Sequence, residues 1–144
     1  MSEALCREVY RLLRNTSRRL KEEFRKKIED HGITWPQFHA LYHIGEQGLP
    51  ANELARELRC HASNMTGLID RMTENGWVYR EHSEEDRRVW LVKLTEKGAR
   101  LKEVIQPLHQ DNIKQRMGVL SPQELETLKR LLAKLLKGET GGES

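Results

Sequence analysis

The sequence predicts a mainly α-helical chain with a small two- or three-stranded β wing. In full, the fold class is a winged helix-turn-helix with N- and C-terminal dimerisation helices. Three observations predict it. Residues 54–76 read LARELRCHASNMTGLIDRMTENG, two short amphipathic helices around a tight turn. WVYREH and VWLVKL follow, joined by the charged stretch SEEDRR, and their aromatic and β-branched content suits two strands of a hairpin. Leucine-rich stripes at helical spacing bracket this unit at both ends.

Taken in order, Leu5, Val9, Leu12, Leu13, Leu20, Phe24 and Ile28 recur at helical spacing with a basic face between them. They predict one long helix over 3–29, ended near His31-Gly32. Thr34 with Gln37 three residues on has the form of a capping box and predicts a second helix over 35–47. Gly48 breaks it, and Pro50 opens a third helix over 51–58, where a missing N–H matters little. The turn Arg59-Cys60-His61 leads into a fourth, over 62–75, stopped by Asn75-Gly76. Strands follow at Trp77–His82 and Val89–Leu94. Thr95 caps a fifth helix over 96–118, which Pro107 should kink or interrupt. Ser121-Pro122-Gln123-Glu124 is a helix start with cap, N1 proline and capping-box glutamate. Leu125, Leu128, Leu131, Leu132, Leu135 and Leu136 then stripe a sixth helix, which Gly138 ends.

At 144 residues the chain is one domain. We expect residues 1–32 and 108–137 to form dimerisation helices, 33–100 the winged unit and 138–144 a disordered tail. Hydrophobic content of 37% against 33% charged is low on apolar side chains, which suits helices that complete their core in a dimer. No apolar run approaches a bilayer span and no signal peptide opens the chain, so the expectation is a cytoplasmic protein. Cys6 and Cys60 are too few for a disulfide framework. The net charge of +3 does not by itself argue for nucleic acid. Residues 51–100 hold nine Lys/Arg and nine Asp/Glu, whereas residues 1–30 hold nine and six. DNA binding must rest on where charges point.

A helix-turn-helix with a wing offers a helix the size of the major groove and a loop that can reach the neighbouring minor groove. The chain resembles the MarR-type winged-helix regulators. The matching residues are Leu54-Ala55 and Leu58, then Ser63-Asn64-Met65-Thr66-Gly67-Leu68-Ile69-Asp70-Arg71-Met72. Gly76-Trp77-Val78, Asp86-Arg87-Arg88 and Leu94-Thr95-Glu96-Lys97-Gly98 continue the match, with Thr34-Trp35-Pro36-Gln37-Phe38 upstream and the leucine-rich last helix.

Leu68, Ile69 and Met72 share one face of helix four and should pack on helix three. Ser63, Asn64, Thr66, Gly67 and Arg71 fall elsewhere, and Ser, Asn and Thr near a helix N-terminus can bond phosphates or base edges. The resemblance implies that they contact DNA, that Arg88 enters the minor groove, and that Arg87 meets a phosphate. Asp86 should orient Arg71 or Arg88. Cys60 should be a small core residue of the turn. The resemblance further implies a pocket for a small aromatic or phenolic acid, lined by Arg14, Arg18, Trp35, His39 and Tyr42. Cys6 and Tyr10, one turn apart, resemble the peroxide-sensing branch, although Leu20 stands where a second tyrosine is expected. Zinc-sensing relatives draw attention to His39 and His109, with His43 and Glu22 or Glu23 nearby. Two histidines at helical spacing are ordinarily surface or pocket residues, and no metal or cofactor is expected.

The leading reading is a DNA-binding, homodimeric, ligand-responsive repressor of a pseudo-palindromic operator. The alternatives are a thiol-based redox repressor using Cys6 and, from another class, a winged-helix module for protein–protein assembly. An enzyme is disfavoured: there is no glycine-rich phosphate loop and no nucleophile with an evident base.

Overall fold

The computed structural model describes residues 2–59 and 62–138, with the backbone alone of residues 62 and 63. The expected burial of Cys60 and the contact role of the Ser63 side chain fall outside these residues, as does the tail beyond Gly138. Six helices and a three-stranded antiparallel sheet make up the described chain.

Helix α1 runs Glu3–Glu29, capped by the Ser2 hydroxyl, which accepts the Leu5 N–H at 3.3 Å. Only Phe24 and Ile28 on it are buried, while Leu5, Val9, Leu12 and Leu13 lie in the open. Helix α2, Trp35–His43, starts with the expected capping box between Thr34 and Gln37. It ends four residues earlier than predicted. Ile44 turns to an extended conformation, is fully buried, and its carbonyl accepts from Lys102 Nζ at 2.7 Å. A tertiary partner thus ends this helix, where Gly48 was expected to do so. Burial of the Lys102 ammonium pushes its pKa below the ordinary lysine value.

Gly48 serves the chain differently. At φ +82°, with a would-be Cβ 2.7 Å from Lys93 Cγ, it turns the backbone into strand β1, Leu49–Pro50. Leu49 pairs with Val92 and Pro50 with Leu91, so β1 closes one edge of the sheet in the order β1-β3-β2. Helices α3 (Ala51–Glu57) and α4 (Ala62–Glu74) follow, then β2 (Val78–His82) and β3 (Trp90–Leu94). In α5, Glu96–Met117, the Thr95 hydroxyl caps Gly98 N–H. Gly98 packs so closely on the chain entering β2 that a Cβ there would lie 2.0 Å from the Trp77 carbonyl oxygen.

Pro107 does not interrupt α5, which is one 22-residue helix. Ile105 is buried and Leu108 packs on the core either side of the proline, and that tertiary contact outweighs the missing hydrogen bond. Helix α6, Pro122–Lys137, carries the predicted capping box of Ser121 and Glu124. None of its residues is buried.

The core therefore belongs to the middle of the chain. Phe24 and Ile28 of α1 meet Leu41, Leu54, Ile69, Met72, Val78, Val92 and Ile105. Among the described residues no helix is long and apolar enough to cross a membrane.

Candidate nucleic-acid interface

Helix α4 buries Met65, Leu68, Ile69 and Met72, and these four hold it against the core. At about 100° per residue, the side away from that stripe carries Gly67 and Asp70, with Thr66 on one flank and Arg71 on the other. Thr66, Asp70 and Arg71 are exposed and Gly67 is half-buried, so no large apolar side chain covers this face. A bare carboxylate at its centre would repel phosphate. Asp70 is answered by Arg80 of β2, whose Nη2 donates to Asp70 Oδ1 at 2.8 Å. Reasoning from sequence missed this pair. The signal was present: an acid on the outer face of such a helix requires a cation, and β2 passes beside α4.

The wing tip is closed by Ser83 N–H donating to the Val89 carbonyl and Val89 N–H to the Asp86 carbonyl, both at 2.9 Å. Asp86 takes Arg88 as its partner, and Arg71 has no part in that pairing. Arg88 donates from its backbone N–H and Nε at 3.1 Å and from Nη2 at 3.2 Å. These bonds hold the Asp86 carboxyl below its ordinary pKa. The Arg88 side chain is nonetheless 90% exposed. Arg87 is exposed beside it. Below the tip, the cross-strand neighbours His82 and Trp90 stack with ring centroids 3.6 Å apart.

Asn64 and Arg71 lie on the flank of α4 that faces a cleft of about 340 Å³. Lys21, Trp35, His39 and Leu58 form its other walls. Lys21 Nζ sits 5.5 Å from the Trp35 ring centroid, and Trp35 and His39 rings are 5.8 Å apart. Burial first, then the neighbouring His43, Lys21 and His109, lower the His39 pKa.

The five residues expected to form one effector pocket do not gather. Trp35 and His39 line the cleft, but Arg14 and Arg18 do not. They lie two turns and one turn before Lys21 on α1, where Arg14 stacks on Tyr10 at 5.7 Å and Arg18 bonds the Asn15 side chain at 3.0 Å. Tyr42 turns away toward Phe38, His43 and His109. Sequence reasoning missed Lys21, because its approach to Trp35 depends on how α1 crosses α2.

Cys6 is exposed, and the described contact of Tyr10 is with Arg14. His109 is wedged between Phe24 and Phe38 with its Nδ1 buried and unpartnered, and burial lowers its pKa. Among the described residues no three His, Cys, Asp or Glu side chains are placed to hold a metal ion.

A helix framed by a core on one side and an arginine-tipped wing on the other defines a winged helix-turn-helix protein. The model of the MarR family matches residues 33–90. The transcriptional repressor MprA of Escherichia coli is 32% identical over 130 residues, covering 88% of this chain and 73% of MprA. The organic hydroperoxide resistance transcriptional regulator of Bacillus subtilis is 34% identical over 93 residues, 64% of this chain and 63% of that relative's length. A solved mutant MarR from E. coli, complexed with operator DNA, superposes with a TM-score of 0.79 at 30% identity, covering 90% of this chain and 94% of that one. The chain belongs to the MarR family of transcriptional regulators.

Proposed function

We propose that the chain is a homodimeric, sequence-specific DNA-binding repressor. The observation that carries this is the wing tip: Arg88 is fixed through three bonds to Asp86 yet 90% exposed, a cation ordered in advance and left for a partner. The outer face of α4 complements it. Thr66, Gly67 and Arg71 are the base and phosphate contacts of this reading, with Ser63 and Asn64 at the helix start, and Arg87 meets a phosphate. Asn64 and Arg71, which also wall the cleft, connect the reading helix to it. The exposed leucines of α1 and α6 support a second copy as partner, residues 1–32 and 108–137 being the dimer region around the winged unit 33–100. Two copies of α4 then require a pseudo-palindrome with half-site centres roughly 34–36 Å apart. The test is a salt series of binding to the DNA immediately upstream of the chain's own gene. Preference for that DNA over a scrambled duplex is expected; equal affinity at every salt concentration rejects the reading.

The cleft supports regulation by a small aromatic or phenolic acid, stacked on Trp35 with its carboxylate on Lys21 and Arg71. A ligand taking Arg71 competes with DNA for the same side chain, and DNA must reciprocally weaken the ligand. Calorimetry with hydroxybenzoates, with and without operator DNA, checks both. The exposed Cys6 and the B. subtilis relative keep a thiol switch as the second reading. Peroxide that releases DNA from wild type but not from Cys6→Ser would replace the ligand with the thiol.

A further inference from the structure

Positive charge in this chain is concentrated away from the winged unit. On α1, Arg7, Arg11, Arg14, Arg18, Lys21 and Arg25 succeed one another at alternating steps of four and three residues. At about 100° per residue the six fall in one arc roughly 80° wide, and they extend about 27 Å along the helix. All six are exposed. Leu5, Val9, Leu12 and Leu13 lie on the opposite side, so a partner covering those leucines leaves the cationic arc open. Among the described residues Arg7 alone of the six is in an ion pair, with Glu3 at 3.8 Å. Arg14 is braced on the Tyr10 ring and Arg18 on the Asn15 amide.

Such a stripe is unlike an ordinary solvated face. Like charges three and four residues apart destabilise a helix, and exposed helix faces usually relieve this by alternating sign. Here every step along the arc is cation to cation. Its lower end runs into the cleft, where Lys21 and Arg71 of α4 share the walls. The basic surface is thus continuous from α1 to the candidate DNA-reading helix.

We infer that the α1 stripe is a second, sequence-independent binding surface for the phosphate backbone of duplex DNA. It does not depend on operator reading. Duplex DNA carries a phosphate on each strand about every 3.4 Å of its axis, so a stripe of this length reaches the few phosphates on the face it lies against. Five of the six side chains are arginine, whose planar fork bonds phosphate at two points. The surface would hold the protein on DNA of any sequence while α4 and the wing, in a charge-balanced unit, discriminate.

The test uses the full chain, a random-sequence duplex lacking the operator, and a salt series. Arg11→Gln, Arg14→Gln and Arg18→Gln together should weaken binding at low salt about tenfold or more. They should also reduce the log–log salt slope by about 2.7, or 0.9 for each phosphate no longer neutralised. Glutamine is a good helix former, so α1 should persist by circular dichroism. The matching Arg→Lys triple variant, which keeps the charge, should retain most of the slope. An unchanged slope in the glutamine variant overturns the inference. So does loss of binding to phosphatidylglycerol vesicles with the duplex slope intact, which would make the surface a lipid one. Operator preference is read separately with Arg88→Ala, so failure of the stripe and failure of the repressor reading give different patterns.

Discussion

The winged unit and the helical ends of this chain solve the same problem in opposite ways. Between Ile33 and Ile105 nearly every large apolar side chain finds a neighbour within the chain, and charges balance or pair locally, as Asp70 does with Arg80 and Lys93 with Glu81. The N-terminal half of α1 and all of α6 leave most of their apolar side chains uncovered, although Arg7 pairs with Glu3 and Lys129 with Glu126. Leu5, Leu12, Leu131, Leu132, Leu135 and Leu136 are exposed, and the cations of α1 face one another. One region specifies its own fold; the other specifies an encounter. Burying a leucine is worth on the order of 2 kcal/mol, so an uncovered stripe of this size is a strong drive to associate.

The sharpest way to break that contrast is at α6. Leu128→Glu with Leu132→Glu puts two carboxylates on the stripe and should leave an unfolded or aggregating chain by sedimentation and circular dichroism. A well-folded, monodisperse monomer would show that the helical ends need no partner. Within the winged unit the largest effect should come from Gly98→Ala. Its Cβ would collide with the Trp77 backbone, where nothing flexible can yield, and overpacking of that kind costs about 3 kcal/mol or more. Denaturant melts should show the loss without any change of oligomeric state.

Arg88→Ala should leave both regions folded. It should lower DNA affinity about 10- to 100-fold, the range for removing a charge-assisted hydrogen bond, most where the minor groove is narrow. Anisotropy titrations check it, and unchanged affinity and salt slope would remove the wing from the interface. The smallest effect lies at the seam between the regions, where burial disfavours the charged forms of His39 and His109. Both pKa values are lowered from 6.5 in the folded chain, so the unfolded chain takes up protons first. Stability should be fully present above about pH 6.5 and should fall by a few degrees of Tm as pH drops below it. His39→Gln with His109→Leu should flatten that dependence.

The contrast also explains what could be read from sequence. Caps at Thr34, Thr95 and Ser121 are local chemistry, and all three appear where the residues put them. The wing and α4 were legible for the same reason. What escaped depends on distant chain. The end of α2 needs Lys102, and a two-residue strand at Leu49–Pro50 exists only because β3 passes alongside. Packing at Ile105 and Leu108 keeps α5 continuous through Pro107, where an interruption was one of the two outcomes expected. At the site, the arginine partner of Asp86 was within reach of sequence reasoning because Arg88 is two residues away. The cleft was legible only in part: Trp35 and His39 were expected in a pocket and line it, whereas Lys21 and Arg71 reach it from two other helices.

The stack of His82 on Trp90 gives the wing an optical reporter of its own. Three tryptophans occur in the chain, and each sits in a different working part. Trp77 is buried in the core, Trp35 lines the cleft, and Trp90 is nearly half exposed at the base of the wing. With two of them replaced by phenylalanine in turn, the intrinsic emission of the third would follow unfolding, effector entry or wing docking separately. The order of these events could then be timed in one unlabelled protein.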